Sequence, residues 1–214
     1  MFIGHLGVAF GASAAAPRLR LGTAFVAAQL PDALWPVLVL AGVERFAIAP
    51  GDTVVTPLRF EHYPWSHSLL TVALAGLAFG ALVAARSSRL RQTLLLAALA
   101  VSHFALDWVS HRPDLPLWPG DSTLHGLGLW NSLPATLVVE LSLFAAGVWL
   151  YARRAARRGP ILALAATLFV VHLGNLFGPP PPSTTAVTIS ALLLIPLLWW
   201  WGNRVDRAAR GGAD

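Results

Sequence analysis

Six ionisable side chains sit inside otherwise apolar stretches: His5, Asp32, His103, Asp107, Glu140 and His172. In a hydrocarbon setting each unneutralised charge costs ~2.5–3.5 kcal/mol or more, so such groups are kept for pairing or for function. His103-Phe-Ala-Leu-Asp107 puts an imidazole and a carboxylate one helical turn apart on one face, and His111 extends the stripe by another turn. Neutral imidazole together with carboxylate suits Zn²⁺ or another first-row divalent ion. Asp32 follows a proline in Leu30-Pro31-Asp32. A proline frees a backbone carbonyl and bends the helix, here around the site. His67 belongs to Glu61-His62-Tyr63-Pro64-Trp65-Ser66-His67-Ser68, where the chain enters another apolar stretch. The chain has no cysteine, which excludes a thiolate zinc site, a cysteine nucleophile and a disulfide scaffold. It also has no GxSxG elbow, no HExxH pair and no phosphate-binding glycine loop.

Structural roles compete with the chemical ones. A lone intramembrane histidine is more often a helix–helix hydrogen-bond partner than a ligand, and His172, with Asn175 one turn on, is read that way. The combination His103, Asp107 and Asp32 favours a metal. Glu140 is open between a ligand, a general base and a partner that holds an imidazole in place. His62 and His125 fall in loops and read as solvated. Ser66 reads as a helix N-cap rather than a nucleophile.

The elements that must position these residues are long and apolar. Of 214 residues 56% are hydrophobic and 12% charged, where a soluble domain carries about a quarter charged. Six apolar segments, at 21–43, 66–85, 92–111, 133–152, 160–178 and 184–202, are each long enough to cross ~30 Å of hydrocarbon at ~1.5 Å per residue. A shorter one at 2–16 has no preceding basic residue and carries His5, so it reads as a retained, partly sunken helix and not a signal peptide. All 15 basic residues are Arg. Under strict alternation Arg18, Arg20, Arg86, Arg89, Arg91, Arg153, Arg154, Arg157, Arg158, Arg204, Arg207 and Arg210 share one side, leaving Arg45, Arg59 and Arg112 on the other. By the positive-inside rule the larger set is cytoplasmic. This clustering reads as membrane topology, not as a nucleic-acid surface. Counted from the cytoplasmic end of each span, His5, Asp32, His103, Glu140 and His172 all fall ~16–18 Å above the inner face, with Asp107 about one turn higher. Residues sharing a depth on five helices line one pocket. His67 counts ~10 Å shallower, so its loop must dip inward to join them.

The order Gly4-His5-Leu6-Gly7, the Asp32 segment, Trp65-Ser66-His67-Ser68-Leu69-Leu70, and Ser102-His103-Phe104-Ala105-Leu106-Asp107 resembles the family of membrane-bound metal-dependent hydrolases, described in some bacteria as LexA-regulated inner-membrane proteins. The likeness covers roughly the first 120 residues. Ser66 stands where that family usually has Thr, and Asp32 lacks its common second Asp. The ligand order Asp, His, HxxxD, with an earlier His, is also similar to zinc-dependent phospholipase C and related nucleases. That likeness implies Asp32, His67, His103 and Asp107 around one metal and His5 at a neighbouring one, with His111 and Glu140 as remnants of a further site. The N-terminal residue that serves as a ligand there is given no counterpart here.

The expectation is an all-α polytopic membrane bundle of about seven helices, the first one short, forming a single integral membrane domain over residues 1–214. Its N-terminus faces out and its C-terminus lies in the cytoplasm. Metal ligands are His5, Asp32, His67, His103 and Asp107, and catalytic candidates are Glu140 and His111. One or two divalent ions, zinc first, would serve hydrolysis of a lipid or phosphoester at the extracytoplasmic leaflet of a bacterial-type inner membrane. The loop 112–130 would rest on the interface as a lid. The alternative is a non-enzymatic metal-binding membrane protein or a small transporter.

Overall fold

The computed structural model describes residues 1–84 and 89–211, so Ala85, which ends the second expected segment, and Arg86 of the Arg clusters lie outside the described residues. The described chain is mostly helical: α1 (Ile3–Ala15), α2 (Leu21–Ala28), α3 (Leu30–Leu40), α4 (Pro64–His67), α5 (Leu69–Val83), α6 (Arg89–Ser110), α7 (Leu133–Ala152), α8 (Gly159–Phe177) and α9 (Thr184–Ala209). Four of them, α6 to α9, are long and apolar enough to cross a membrane, and a fifth crossing is possible if α2 and α3 form one bent span.

Three sequence expectations are corrected. The segment 21–43 has the bend expected at its proline, 56°, but as a break that divides it into α2 and α3. Gln29 at the break has φ −109° and ψ 19°. Pro31 has no amide proton to continue the ladder there. The segment 66–85 is likewise interrupted. Ser68 is extended (φ −77°, ψ 148°) and its hydroxyl accepts the Thr71 amide, so Ser68, and not Ser66, caps α5. α5 itself has only 15 residues, or ~22 Å at the helical rise, short of a bilayer core. Third, the fold is not purely helical. The loop after α3 carries an antiparallel hairpin, β1 (Arg45–Ile48) and β2 (Leu58–His62), with Phe46 opposite Phe60.

α1 is the short, sunken helix expected, and it forms the centre of the bundle. Ile3, Leu6, Ala9 and Phe10 are fully buried, and Phe10 meets Phe25 of α2 edge-on at 5.1 Å. Backbones touch where α1 crosses α7: a Cβ on Gly147 would stand 1.9 Å from the Gly7 carbonyl oxygen. Only glycine at both positions permits that approach, the small-residue packing common between membrane helices. The outward faces are apolar in turn, with Val138, Leu162, Val170 and Leu193 all more than half exposed. The hairpin is held to the bundle by Trp35 of α3, whose ring lies 4.7 Å from Phe46 and 5.6 Å from Phe60. Asp52 at its tip receives Arg59 at 2.9 Å and Arg112 at 2.6 Å.

Candidate metal centre

α6 supplies the spine of the site. His103, Asp107 and His111 follow one another at single-turn spacing, and all three are buried. α1 brings His5, the first turn of α3 brings Asp32, and α4 brings His67. All five expected ligands therefore converge. His5, His103 and Asp107 form one set and Asp32, His67 and His103 another, the ligand atoms of each set lying within 4.8 Å of one another. His67 reaches the cluster because the chain breaks at Ser68 and α4 folds inward, which resolves its discrepant depth.

Three imidazoles have their Nδ1 proton committed elsewhere. His103 Nδ1 is 2.8 Å from the Ala28 carbonyl oxygen, an acceptor only, so Nδ1 donates there. That carbonyl is available because the helix breaks immediately after it. Ser66 Oγ donates to Glu44 Oε2 at 2.6 Å and accepts from His67 Nδ1 at 2.7 Å. His111 Nδ1 donates to Asp114 Oδ1 at 3.1 Å, and the same oxygen accepts the Tyr63 hydroxyl at 2.6 Å. Burial and the Asp114 carboxylate push the Tyr63 phenol well above its ordinary range, so it remains a donor.

Each of these rings thus turns its Nε2 inward, and what it meets is a carboxylate; in the neutral ring that Nε2 is an acceptor. His103 Nε2 lies 3.0 Å from Asp107 Oδ2 and 3.9 Å from Asp32 Oδ2. His67 Nε2 is 3.5 Å from Asp32 Oδ1, and His111 Nε2 is 3.7 Å from Asp107 Oδ2. Acceptors facing acceptors repel unless a cation or additional protons stand between them. The donor set, imidazole nitrogen with carboxylate oxygen, is one that zinc and its first-row neighbours accept.

Asp107 presents its other oxygen to α1. Oδ1 is 2.6 Å from the Met1 amino nitrogen and 3.1 Å from His5 Nε2, and the His5 and His103 rings stack in parallel at 3.9 Å. The N-terminal residue, expected to have no counterpart at the site, is therefore beside it. Sequence reasoning also missed Glu44, Tyr63 and Asp114. For Asp114 the local signal existed, in the spacing His111-Arg-Pro-Asp114.

Glu140 stands to one side of the ligands. Its Oε2 accepts the amides of Phe2 at 2.9 Å and Gly4 at 3.2 Å, anchoring the start of α1. It shares with Asp32 the wall of a cavity of about 720 Å³. Asp32, at 34% exposed, is the accessible member of the cluster, whereas His103 and Asp107 are enclosed. His172 makes no helix–helix hydrogen bond among the described residues, contrary to expectation; both ring nitrogens are buried without a partner there, and the ring faces Phe2 at 6.2 Å. His62 is exposed on β2 as expected, whereas His125 is half-buried, paired with Leu115 and packed on Trp108. The loop after α6 covers one end of the cluster, with the Gly128 amide on the His111 carbonyl and the Trp130 ring 4.2 Å from His111. Comparison of the chain with family models, curated proteins and solved structures finds no match.

Proposed function

We propose that this protein is a membrane-embedded metal-dependent hydrolase acting on a lipid or phosphoester from the extracytoplasmic leaflet of a bacterial-type inner membrane. The observation that carries the reading is the set of three histidines, His67, His103 and His111, whose Nδ1 protons are all held by outside acceptors while their Nε2 atoms face Asp32 and Asp107. Such outer partners fix the tautomer that a metal-binding imidazole needs. Asp107 divides its two oxygens between His103 and His111 on one side and His5 and the Met1 amino group on the other, and two divalent ions, zinc first, would share that carboxylate with the amino group as a further donor.

Divalent ions held by these residues would supply polarisation of a phosphoryl or acyl oxygen and a lowered pKa for bound water. The chain's residues do the rest. Asp32 opens the cluster to the cavity, and the Glu140 carboxylate on the same wall is the base that accepts a proton from water. His111 holds the far side of Asp107 under the Trp130 lid. The clustering of Arg supports a cytoplasmic C-terminus and an outward-facing site.

The test joins metal analysis of the purified protein to a Glu140→Gln variant. Stoichiometric transition metal in both proteins, with turnover of a phospholipid or similar ester lost only in the variant, is the expected result. Wild-type protein without such metal, and with melting unmoved by chelator, overturns the proposal. A second reading, a small ion transporter, is favoured by one feature, the broken α2–α3 pair with Asp32 just past the bend. Metal-dependent ion flux without ester turnover in proteoliposomes selects it.

A further inference from the structure

The cavity beside Asp32 and Glu140 has walls that the proposed proton chemistry does not use. Gln29, Trp35 and His172 line it, and all three are almost wholly enclosed, at 1%, 5% and 2% exposed. Among the described residues, Gln29 Oε1, Trp35 Nε1 and both ring nitrogens of His172 have no hydrogen-bond partner. Buried polar atoms are ordinarily paired, so four such atoms around one cavity mark a place for polar atoms that a ligand brings. Their chemistry is mixed. The indole only donates, the amide oxygen only accepts, and a neutral imidazole does one of each. Asn175 and Ser190 add an accessible amide and hydroxyl to the same walls.

Charge narrows the ligand. Asp32 and Glu140 face the cavity, no Arg is among its described lining residues, and the Met1 amino group is already taken by Asp107. A second anionic group finds no cation in these walls. A quaternary ammonium would suit the carboxylates but would leave the indole and imidazole donors without acceptors. Hydroxyl groups, which donate and accept, satisfy both kinds of atom. The same walls also carry apolar side chains, Val171 and Leu176 from α8 and Val187, Ala191 and Leu194 from α9. Val171 is 41% exposed, so this apolar lining reaches the surface of the bundle.

We infer that the cavity binds an amphiphile with a neutral, hydroxyl-bearing head, a polyol or sugar, seated on Gln29, Trp35 and His172, and a hydrocarbon chain laid between α8 and α9. The inference rests on the hydrolase reading only for what happens next to Asp32; binding itself requires no metal.

The probe is a decyl glucoside carrying a photoreactive diazirine in its chain, added to the full chain in phosphatidylcholine nanodiscs after chelation. Adducts should map to cavity-lining Val187, Ala191 and Leu194, and octyl glucoside should suppress them about tenfold more than octyl sulfate or octyltrimethylammonium at equal concentration. His172→Ala should cut that preference to about threefold or less while chain labelling persists. Ala191→Trp, which fills the space along the apolar lining, should remove the adducts while metal content after reloading stays that of wild type. Labelling confined to outward residues such as Leu193 and Leu162, or equal competition by the three heads, overturns the inference. Preserved selectivity in a protein that never binds metal removes the hydrolase reading alone. Ester turnover accompanied by equal competition removes this inference alone.

Discussion

Two buried carboxylates lie toward opposite ends of α1 and are handled in opposite ways. Near the C-terminal end, Asp206 of α9 accepts the Tyr151 hydroxyl and, at 2.8 Å, the Arg210 guanidinium, while Arg210 and Arg154 also donate to the Pro17 and Ala14 carbonyls. The guanidinium and a phenol satisfy Asp206 from within the chain. Near the N-terminal end Asp107 takes the Met1 amino group on Oδ1 at 2.6 Å, while its Oδ2 faces the Nε2 atoms of His103 and His111, whose Nδ1 protons are already committed to Ala28 and Asp114. A polar cluster that closes its own account of donors and acceptors is architecture. One in which a carboxylate oxygen is met by two imidazoles already anchored elsewhere is arranged for something that arrives from outside.

The sharpest test is the side of the membrane on which each end lies. The chain has no cysteine, so single cysteines report cleanly. Val54→Cys, in the exposed hairpin loop, should react with an impermeant maleimide only from the extracytoplasmic side, and Arg153→Cys only from the cytoplasm. Labelling of both from one side breaks the comparison outright.

Next in size is the contrast between the carboxylates themselves. Asp107→Asn should reduce bound metal to about a tenth of wild type or less, because it alters a carboxylate that faces His5 with one oxygen and His103 and His111 with the other. Asp206→Asn should leave metal content unchanged and lower stability by ~1–3 kcal/mol, read as a shift in melting temperature. His125→Ala should leave metal content unchanged and, by removing a ring packed on Trp108, lower stability by ~1 kcal/mol. Equal metal loss in the Asp206 and Asp107 variants removes the distinction.

Saturating zinc at ~1,000 times its Kd should stabilise wild type by ~4 kcal/mol. For a chain of this length that raises Tm by ~8–16 °C. The same addition should move Asp107→Asn by less than ~2 °C. Smaller again, Ser66→Ala breaks the chain from Glu44 to His67 and should weaken metal affinity ~10–100-fold, measured by competition with a chromogenic chelator. The smallest effect is expected for Tyr63→Phe, which removes one donor to Asp114 and should cost ~1 kcal/mol with metal content intact. Because the phenol's pKa is raised, it stays protonated in the native state, and that cost should be constant from pH 6 to 9.

The parts of this site legible in the sequence were those set by short range or by depth. His103, Asp107 and His111 are fixed by helical spacing alone. His5 and Asp32 were placed by counting from the ends of apolar segments, which works because the bilayer gives every crossing a common ruler. The same ruler grouped Glu140 and His172 with them, and depth says nothing about which way a helix is turned. Glu140 faces the start of α1 and His172 finds no partner among the described residues. The break at Ser68 was hidden because residues 66–85 read as one apolar run, and Ser66 was accordingly given the cap that Ser68 provides. Glu44 was out of reach for another reason. It meets Ser66 only because the intervening hairpin folds back, and that register depends on Phe46, Phe60 and Trp35 meeting in space.

The glycine contact between α1 and α7 also sets a schedule for biogenesis. The seat that Gly147 offers to Gly7 is completed only when α7 emerges, more than a hundred residues after α1. At ~5–20 residues per second that delay is on the order of ten seconds. Through it α1, too short to cross a bilayer and carrying a buried histidine, must wait without the helix that will enclose it. That interval is the window in which the Gly7 face of α1 stays uncovered.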